Sequence, residues 1–186
     1  PFESFWAGTS AGIFRFGGLF STHQAQDLDN CVTTATRIEG PGTLWIGTAR
    51  GLFVQGPDGS IVTADNSNLP GFDVESLTPP RVNVIRRVLN EIWVGTSAGI
   101  GKYDLTGMAA GQLTNELLDF GEQGSVDVLD IENRYPNAVW VATAGRGLKR
   151  QDFGGPWVHF KPDTTENNLV SLEIRGLTYE ASALWI

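Results

Sequence analysis

The sequence has few of the residues on which metal sites, disulfide frameworks and nucleophilic active sites are built. Its 186 residues contain one cysteine, Cys31, and two histidines, His23 and His159. A single cysteine excludes an internal disulfide and any site made of several cysteines. Neither histidine has a partner at metal-ligand spacing, so the sequence predicts no metal site. No cofactor motif is present either, and no cofactor is expected.

Positive charge and long apolar runs are also scarce. The chain carries 13 basic and 21 acidic residues, a net charge of −8. Because an acidic surface repels phosphate groups, we expect no nucleic-acid partner. No apolar run approaches the roughly 18 residues of a membrane-spanning helix, so the chain is not expected to span a membrane. Charged residues make up only 18% of the sequence, which argues against disorder.

Glycine and tryptophan are abundant, and most of the tryptophans belong to a repeat. The repeat reads aliphatic or aromatic residue, Trp, x, Gly, Thr, two variable residues, Gly and an aliphatic residue. Five of the six tryptophans occupy its second position, 39 to 48 residues apart. Clear copies lie at 5–13, 44–52 and 92–100, a looser copy lies at 139–148, and a fifth begins at 184. A period of this length is typical of helical repeats or of β-propeller blades.

The local chemistry favours blades over helices. The segment 44–48 is β-branched and aromatic and is bounded by glycine and proline, which predicts a strand, and a short Thr-x-x-Gly turn leads into a second strand. With one strand before this hairpin and one after it, each period holds four strands, the content of one blade. The segment 113–120 fits either a short helix or an outer strand. We therefore predict an all-β fold of β-propeller blades, each with four antiparallel strands.

The repeat also predicts the division of the chain. About four blades are expected, as a partial blade at 1–30, blades at 31–65, 81–120 and 126–161, and a partial blade at 170–186. Propellers have typically 4 to 8 blades. At about 45 residues per blade, a seven-bladed ring needs on the order of 315 residues. We therefore expect these blades to be part of the larger ring of a longer protein. The alternative is that copies of this chain associate to complete a ring.

Each conserved position of the repeat has a predicted structural role. The indole rings are expected to fill the wedges between neighbouring blades. The first glycine permits close backbone approach, the threonine hydroxyl bonds the turn, and the second glycine supplies positive φ. The predicted structural residues are Trp6, Trp45, Trp93, Trp140, Trp185, Gly47, Gly51, Gly95 and Gly99.

The repeat resembles that of the two-component regulator propellers. The resemblance rests on 44–52 and 92–104, and on the asparagine-rich segments 66–70 and 166–170, which are similar to the loop that enters the first strand of that family's blades. The sequence departs from the family pattern at Ala7, Ala142, the extra residue Gly145 and 107–126. The resemblance implies the extracytoplasmic part of a bacterial sensor, periplasmic or at the cell surface, and a saccharide ligand.

The variable residues of the turns after the tryptophan strands are the candidate ligand-binding residues. They are Ser10, Arg50, Ser97 and Arg146. The turns of a propeller gather on one face, where an arginine can bind a carboxylate or sulfate group. The alternative is that they are solvated turn residues. Two copies spell G-x-S-x-G, but a strand-turn-strand context predicts a structural serine, not a nucleophile.

Two further groups of residues have open interpretations. His159 alternates with apolar residues in a predicted outer strand, which favours a side chain facing solvent. Asp127 and Asp130 are expected in turn or strand-end roles, with a Ca²⁺ site as the alternative. No paired carboxylates suggest a glycosidase, and no catalytic residues are predicted.

The sequence thus leaves three functions open. We expect a non-catalytic ligand-recognition propeller of a sensor protein, with a saccharide or other small ligand. The first alternative is a structural or assembly subunit, with protein partners or further blades covering its apolar surfaces. The second is a carbohydrate-active enzyme on a propeller fold.

Overall fold

A computed structural model describes residues 5–9, 12–16, 23–24, 32–37, 43–56, 61–64, 66–106, 113–116, 125–134, 138–152, 155–162, 169–180 and 183–186. Side chains are described from residue 43 onward, except those of the strands at 61–63 and 113–116. Within these ranges every regular element is a β-strand, and the strands form five antiparallel sheets.

The sheets follow one another along the chain. Sheet 1 contains β1 (Phe5–Thr9), β2 (Gly12–Phe16) and β3 (His23–Gln24). Sheet 2 contains β4 (Val32–Arg37), β5 (Leu44–Thr48), β6 (Gly51–Gln55) and β7 (Ile61–Thr63). Sheet 3 contains β8 (Val82–Val88), β9 (Glu91–Thr96), β10 (Gly99–Asp104) and β11 (Leu113–Glu116). Sheet 4 contains β12 (Val128–Arg134), β13 (Ala138–Thr143), β14 (Leu148–Asp152) and β15 (Trp157–Phe160), and sheet 5 contains β16 (Thr178–Glu180) and β17 (Ala183–Trp185).

Each sheet is a meander in which consecutive strands pair, and sheets 2, 3 and 4 each have four strands. The predicted four-stranded antiparallel unit is therefore confirmed. The ambiguous segment at 113–120 contributes a strand, β11, which pairs with β10 from Ile100 opposite Glu116 to Tyr103 opposite Leu113. In the partial blade predicted at 170–186, the chain is irregular up to residue 177, and the first strand, β16, begins only at Thr178.

Apolar cores lie between neighbouring sheets. First strands lie beside first strands, β4 by β8, β8 by β12 and β12 by β16. Trp45 of sheet 2 packs with Val82, Ile85 and Tyr103 of sheet 3. In the next wedge, Trp93 of sheet 3 packs with side chains of sheet 4 that include Ile131. Since residues on alternate sides of each strand reach opposite neighbours, sheets 3 and 4 are covered on both faces.

Trp45, Trp93 and Trp140 occupy these wedges as predicted. Trp45 is 8% exposed and lies 5.0 Å from the ring of Tyr103, and Trp93 is 3% exposed and lies 6.2 Å from the ring of Trp157. Trp140 is half-buried and packs against the cluster between sheets 4 and 5. Trp185, in the last sheet, is 61% exposed. The side chain of Trp6 lies outside the described residues.

A β-bulge recurs at one position in the first strand of sheets 2, 3 and 4. The register shifts between Val32 and Thr34, between Val82 and Val84, and between Val128 and Asp130. A bulge bends its strand and redirects a side chain. In sheet 3 the redirected residue is Asn83, whose Nδ2 donates to Asp127 Oδ1 at 2.7 Å and to the Val128 carbonyl at 2.9 Å in sheet 4. The bulge therefore joins neighbouring sheets by polar contacts at the edge of an apolar core.

Candidate ligand-recognition site

The turns that follow the tryptophan strands are closed by the repeat's threonine. Thr48 Oγ1 donates to the carbonyl of Gly51 at 3.0 Å and accepts from the backbone N–H of Arg50 at 3.0 Å. Thr96 makes the same two bonds in sheet 3, to the Gly99 carbonyl and from the Ala98 N–H, each at 3.1 Å. Both threonines are fully buried. The predicted turn role of this residue is therefore confirmed, and it fixes the backbone beneath each variable pair.

Two glycines of the repeat are required for different reasons. Gly51 has φ of +103°, and a Cβ there would lie 2.7 Å from Pro79 Cβ. Gly95 has no positive φ, but a Cβ there would lie 2.6 Å from Val84 Cγ1 and 2.7 Å from Val128 Cγ1, in the wedge to sheet 4. Gly99 also has positive φ, and Gly47 is buried within β5. The predicted roles of close approach and positive φ are both present.

The turn of sheet 4 is one residue longer and is held differently. Gly145 and Gly147 both have positive φ, and Thr143 Oγ1 donates to the Gly147 carbonyl at 2.7 Å. His159 of β15 is half-buried, and its Nε2 lies 2.7 Å from the carbonyl of Arg146. The expectation that His159 faces solvent is wrong, because β15 places the ring against this turn. The Nε2–H tautomer can donate to that carbonyl and hold the turn in place.

The linker at 66–81 lies across two successive turns. Asn66 is buried and clamps the chain beside Gly51: its Oδ1 accepts from the Leu52 N–H at 2.9 Å and its Nδ2 donates to the Leu52 carbonyl at 3.2 Å. Further along, the Pro70 carbonyl lies 2.9 Å from Thr96 Oγ1, so it shares that hydroxyl's single proton with the Gly99 carbonyl. At its end, the Arg81 carbonyl accepts from the Ser97 N–H at 3.1 Å. The linker therefore connects the turn of sheet 2 to the turn of sheet 3.

The linker at 169–177 makes the equivalent contacts in sheet 4. The Gly147 N–H donates to the Leu172 carbonyl at 2.7 Å, and the Ile174 N–H donates to the Thr143 carbonyl at 3.0 Å. Turns and linkers thus lie together at one end of the sheets. We call this surface the linker face. It consists of the turns at 49–50, 97–98 and 144–147 and the linkers at 66–81 and 169–177.

Three predicted ligand-binding residues lie on the linker face, at equivalent turns of three consecutive sheets. Arg50 and Ser97 are exposed and Arg146 is half-buried. Because each turn backbone is bonded to a threonine, a linker or both, these side chains project from fixed positions. Ser97 lies between β9 and β10, so its G-x-S-x-G sequence is a strand-turn-strand, as predicted. Ser10 lies outside the described residues.

The linker at 66–81 also carries a compact tip at 73–78. Asp73 and Thr78 form an isolated antiparallel bridge. Asp73 Oδ2 accepts from Ser76 Oγ at 2.7 Å and Asp73 Oδ1 accepts from the Glu75 N–H at 2.9 Å, and these bonds lower the pKa of Asp73. Leu77 has φ of +54°, which costs about 1–3 kcal/mol for a residue with a β-carbon. The tip nevertheless leaves Val74 74% exposed and Leu77 72% exposed.

No family model matches the sequence. No curated protein matches it either.

Solved structures do match, over nearly the whole chain. The extracellular domain of BT4673, a one-component or hybrid two-component system of B. thetaiotaomicron, matches with a TM-score of 0.76 and 16% identity over 98% of this chain. That of the hybrid two-component system BT3049, from the same organism, matches with a TM-score of 0.67 and 21% identity over 94%. This chain spans 24% and 22% of those chains. A structure of YCF48 bound to a D1 peptide matches with a TM-score of 0.58 and 17% identity, over 95% of this chain and 55% of that one.

This chain has the β-propeller fold. Its sheets are blades, and the first two matches confirm the resemblance to two-component regulator propellers at the level of the fold.

Asp130 is a polar tie between its blade and both neighbouring parts of the chain. Asp130 follows the bulge in β12: its Oδ2 accepts from the Leu177 N–H in the linker to the next blade at 2.8 Å, and its Oδ1 lies 3.4 Å from Arg86 Nη2 in the previous blade. Glu132 lies on the same strand, and burial raises its pKa, against the lowering effect of Arg86. Within the described residues no group of three or more potential ligands is arranged for a metal ion.

Sequence reasoning missed several residues that shape the linker face and the wedges. Asn66 was part of the asparagine-rich resemblance, but its role as a backbone clamp was not predicted. Lys102 was not singled out, although its Nζ lies 3.9 Å from the ring centroid of Trp93, where burial lowers its pKa. The strand register explains this contact, since Lys102 is directly opposite Trp93 in the hairpin.

In the described part of the chain no helix is both long and apolar enough to cross a membrane.

Proposed function

We propose that this propeller is a ligand-recognition module of an extracytoplasmic bacterial sensor, and that it binds its ligand without turnover. The linker face supports this proposal, because equivalent turns of three blades hold Arg50, Ser97 and Arg146 on bonded backbones. Rigid placement lowers the entropy lost on binding. The extracellular sensor domains of BT4673 and BT3049, which share the fold, support the location and the sensory role.

The chemistry of the turns suggests the class of ligand. A guanidinium is planar and binds carboxylate or sulfate through two parallel hydrogen bonds. Arg50 and Arg146 lie on the turns of blades 2 and 4, with the turn of blade 3 between them. We infer that the ligand is an acidic saccharide long enough to span more than one blade.

Binding to a glycan array of uronic-acid and sulfated oligosaccharides tests this proposal. Arg50→Ala and Arg146→Ala are each expected to weaken binding about tenfold, since a charge-assisted hydrogen bond contributes about 1.5–3 kcal/mol. Arg87→Ala is the matched control, because Arg87 is also exposed but lies near the far end of β8, away from the linker face. Unchanged affinity in both variants would show that these turns do not form the binding site. Release of shorter saccharides during incubation would show that the protein hydrolyses or cleaves its ligand instead of only binding it.

An assembly role is the second candidate, and the exposed aliphatic residues of the linkers favour it. Contiguous apolar surface on a soluble protein often marks a protein contact. YCF48, which shares the fold, has been solved with a bound peptide. Stable co-purification of a partner that is lost on Val74→Asp, with no binding on the array, would favour this role over the first.

A further inference from the structure

Arg81 is the last residue of the linker between blades 2 and 3, and it is exposed. Its carbonyl accepts from the Ser97 N–H at 3.1 Å, which extends the ladder of β8 and β9 one pair beyond Val82 opposite Thr96. Residues directly opposite each other in an antiparallel ladder point to the same face, with Cβ atoms about 4.5–5.5 Å apart. The side chains of Arg81 and Ser97 therefore start side by side, and one acidic group of a ligand can bind both.

The linker also brings Arg81 close to the turn of blade 2. A Cβ at Gly51, the residue after Arg50, would lie 2.7 Å from Pro79 Cβ, so the linker touches this turn at Pro79. Arg81 lies two residues further on, and two residues of extended chain span at most about 7 Å. Pro79 and the buried Pro80 have a restricted φ, which limits the motion of this segment. Arg81 is therefore held within a short distance of the turns of blades 2 and 3.

On the other side of Arg81, polar contacts lead to the turn of blade 4. Asn83, two residues after Arg81, donates from Nδ2 to Asp127 Oδ1 at 2.7 Å. The Asp127 carbonyl accepts from the Ala144 N–H at 2.9 Å, and Arg146 follows two residues later on the same turn. Asp127 occupies in blade 4 the position that Arg81 occupies in blade 3. Blade 3 thus has its arginine on the strand opposite the turn, whereas blade 4 has its arginine on the turn itself.

The guanidinium of Arg81 is available to a ligand. The linker at 169–177 also carries an arginine, but Arg175 forms an ion pair with Glu173 at 2.7 Å. Within the described ranges of the chain Arg81 forms no ion pair. A guanidinium without a carboxylate partner can accept one from a ligand without first losing an existing contact.

Acidic residues separate the arginines of the linker face. Asp127 is half-buried between Arg81 and Arg146 along the path of contacts, and the tip of the linker carries Asp73 and Glu75. Sheets that pack face to face lie about 10 Å apart, so the arginines of neighbouring blades start on the order of 10 Å apart. A saccharide with an acidic group on every residue would place some of those groups beside the carboxylates, which repel them. Acidic groups separated by neutral residues can meet the arginines alone.

We propose that Arg81 and Ser97 form the blade 3 subsite of the linker face, between Arg50 and Arg146, and that the ligand carries acidic groups separated by neutral sugar residues. This inference rests on the proposed recognition function and adds to it a third arginine and the spacing of the ligand's charges. The Arg81 guanidinium binds a carboxylate or sulfate group through two parallel hydrogen bonds, and the Ser97 hydroxyl donates a third to the same group.

Calorimetric titration of the chain with three oligosaccharide series of matched length tests the spacing. Hyaluronan oligosaccharides carry a carboxylate on every second residue, and κ-carrageenan oligosaccharides carry a sulfate on every second residue. Oligogalacturonates carry a carboxylate on every residue. At least one of the first two series is expected to bind more tightly than oligogalacturonates, and the tighter of the two identifies the acidic group.

Variants of the subsite test the roles of Arg81 and Ser97 with the series that binds most tightly. Arg81→Ala is expected to weaken binding about tenfold, because hydrogen bonds to a charged group are lost. Arg81→Lys keeps the charge but not the paired donors, so it is expected to recover only part of the affinity. Ser97→Ala is expected to weaken binding about threefold, but much less in the Arg81→Ala background, since both side chains bind one acidic group. Arg87→Ala is the matched control, because Arg87 is exposed near the other end of β8.

The outcomes distinguish this inference from the recognition proposal. Unchanged affinity in Arg81→Ala, with weaker binding in Arg50→Ala and Arg146→Ala, overturns the inference and supports the recognition proposal. Independent effects of Arg81→Ala and Ser97→Ala overturn the shared subsite, and tightest binding by oligogalacturonates overturns the spacing. Binding by none of the three series, or unchanged affinity in both Arg50→Ala and Arg146→Ala, overturns both proposals.

Discussion

Truncation of Trp93 to alanine is expected to destabilise the propeller strongly. The indole is 3% exposed, in the wedge between blades 3 and 4. Removing it exposes or empties about 150–200 Å² of apolar contact, which at about 25 cal/mol per Å² corresponds to about 4–5 kcal/mol. The contact to Trp157 and the bond from Nε1 to Glu91 Oε2 at 2.8 Å are lost as well. We expect a loss of about 3–5 kcal/mol, the range measured for buried aromatic residues in other proteins.

Urea denaturation followed by far-ultraviolet circular dichroism measures this loss. Circular dichroism is preferable to fluorescence because five other tryptophans remain. Because blades contact only their neighbours, part of the chain can unfold separately. A single free energy of unfolding is therefore assigned only if its slope with urea concentration is the same in the variant and in wild type.

Trp185→Ala is the matched control for Trp93→Ala, because it removes the same ring from the same repeat position. Trp185 is 61% exposed, so a loss below about 1 kcal/mol is expected. Equal losses at the two positions, or a loss below about 1 kcal/mol at Trp93, would show that wedge burial does not stabilise the blades.

Three other changes test the turns and the ties between blades. Gly95→Ala is expected to cost about 1–3 kcal/mol in urea denaturation, since the new methyl overlaps Val128 in the next blade; a neutral result would show that the wedge relaxes freely. Asn66→Ala is expected to cost about 1–3 kcal/mol, because it leaves the buried N–H of Leu52 without its partner while the Leu52 carbonyl keeps the Ala64 N–H, and faster hydrogen exchange at Leu52 is the accompanying sign. Glu132→Gln addresses pH. A carboxyl whose folded pKa is raised contributes its full stabilisation below the unfolded pKa of about 4.5, and this contribution is lost as the pH rises through the folded pKa. The variant should therefore be more stable than wild type at pH 7 and no more stable at pH 4. The difference at pH 7 should be less than about 1 kcal/mol, because the group is partly solvated. A difference of the same size at both pH values would show that its cause is not this titration.

The parts of the fold that the sequence predicted are those determined by contacts within one repeat. The bonds of Thr48 to Gly51 and Arg50 span three residues or fewer, so the turn chemistry is readable locally. The recurrence of tryptophan then implies that the same face of each blade meets a neighbour. The strand at 113–116 was ambiguous because its few residues carry no period strong enough to separate helix from strand.

The parts that could not be predicted depend on pairs of residues far apart in the sequence. Asp130 bonds the N–H of Leu177, 47 residues away, and lies by Arg86, 44 residues away in the other direction. An Asp in a strand gives no sign of such partners. His159 was misplaced because strand alternation gives the side of a strand but not what covers that side. The exposure of Val74 and Leu77 is equally unreadable, since an apolar residue in a loop is normally expected to be covered.

The position of Asp130 limits how such a repeat protein can change in length. Its carboxylate binds a main-chain N–H of the linker to blade 5 and lies beside a guanidinium of blade 3. Removing a blade on either side would leave a half-buried carboxylate without one of those partners, which lowers the stability of the fold. An apolar contact that loses its neighbour leaves no unpaired charge behind. Gain or loss of a whole repeat at this point therefore requires a compensating substitution at Asp130, whereas a junction sealed only by aliphatic side chains tolerates the same event more readily.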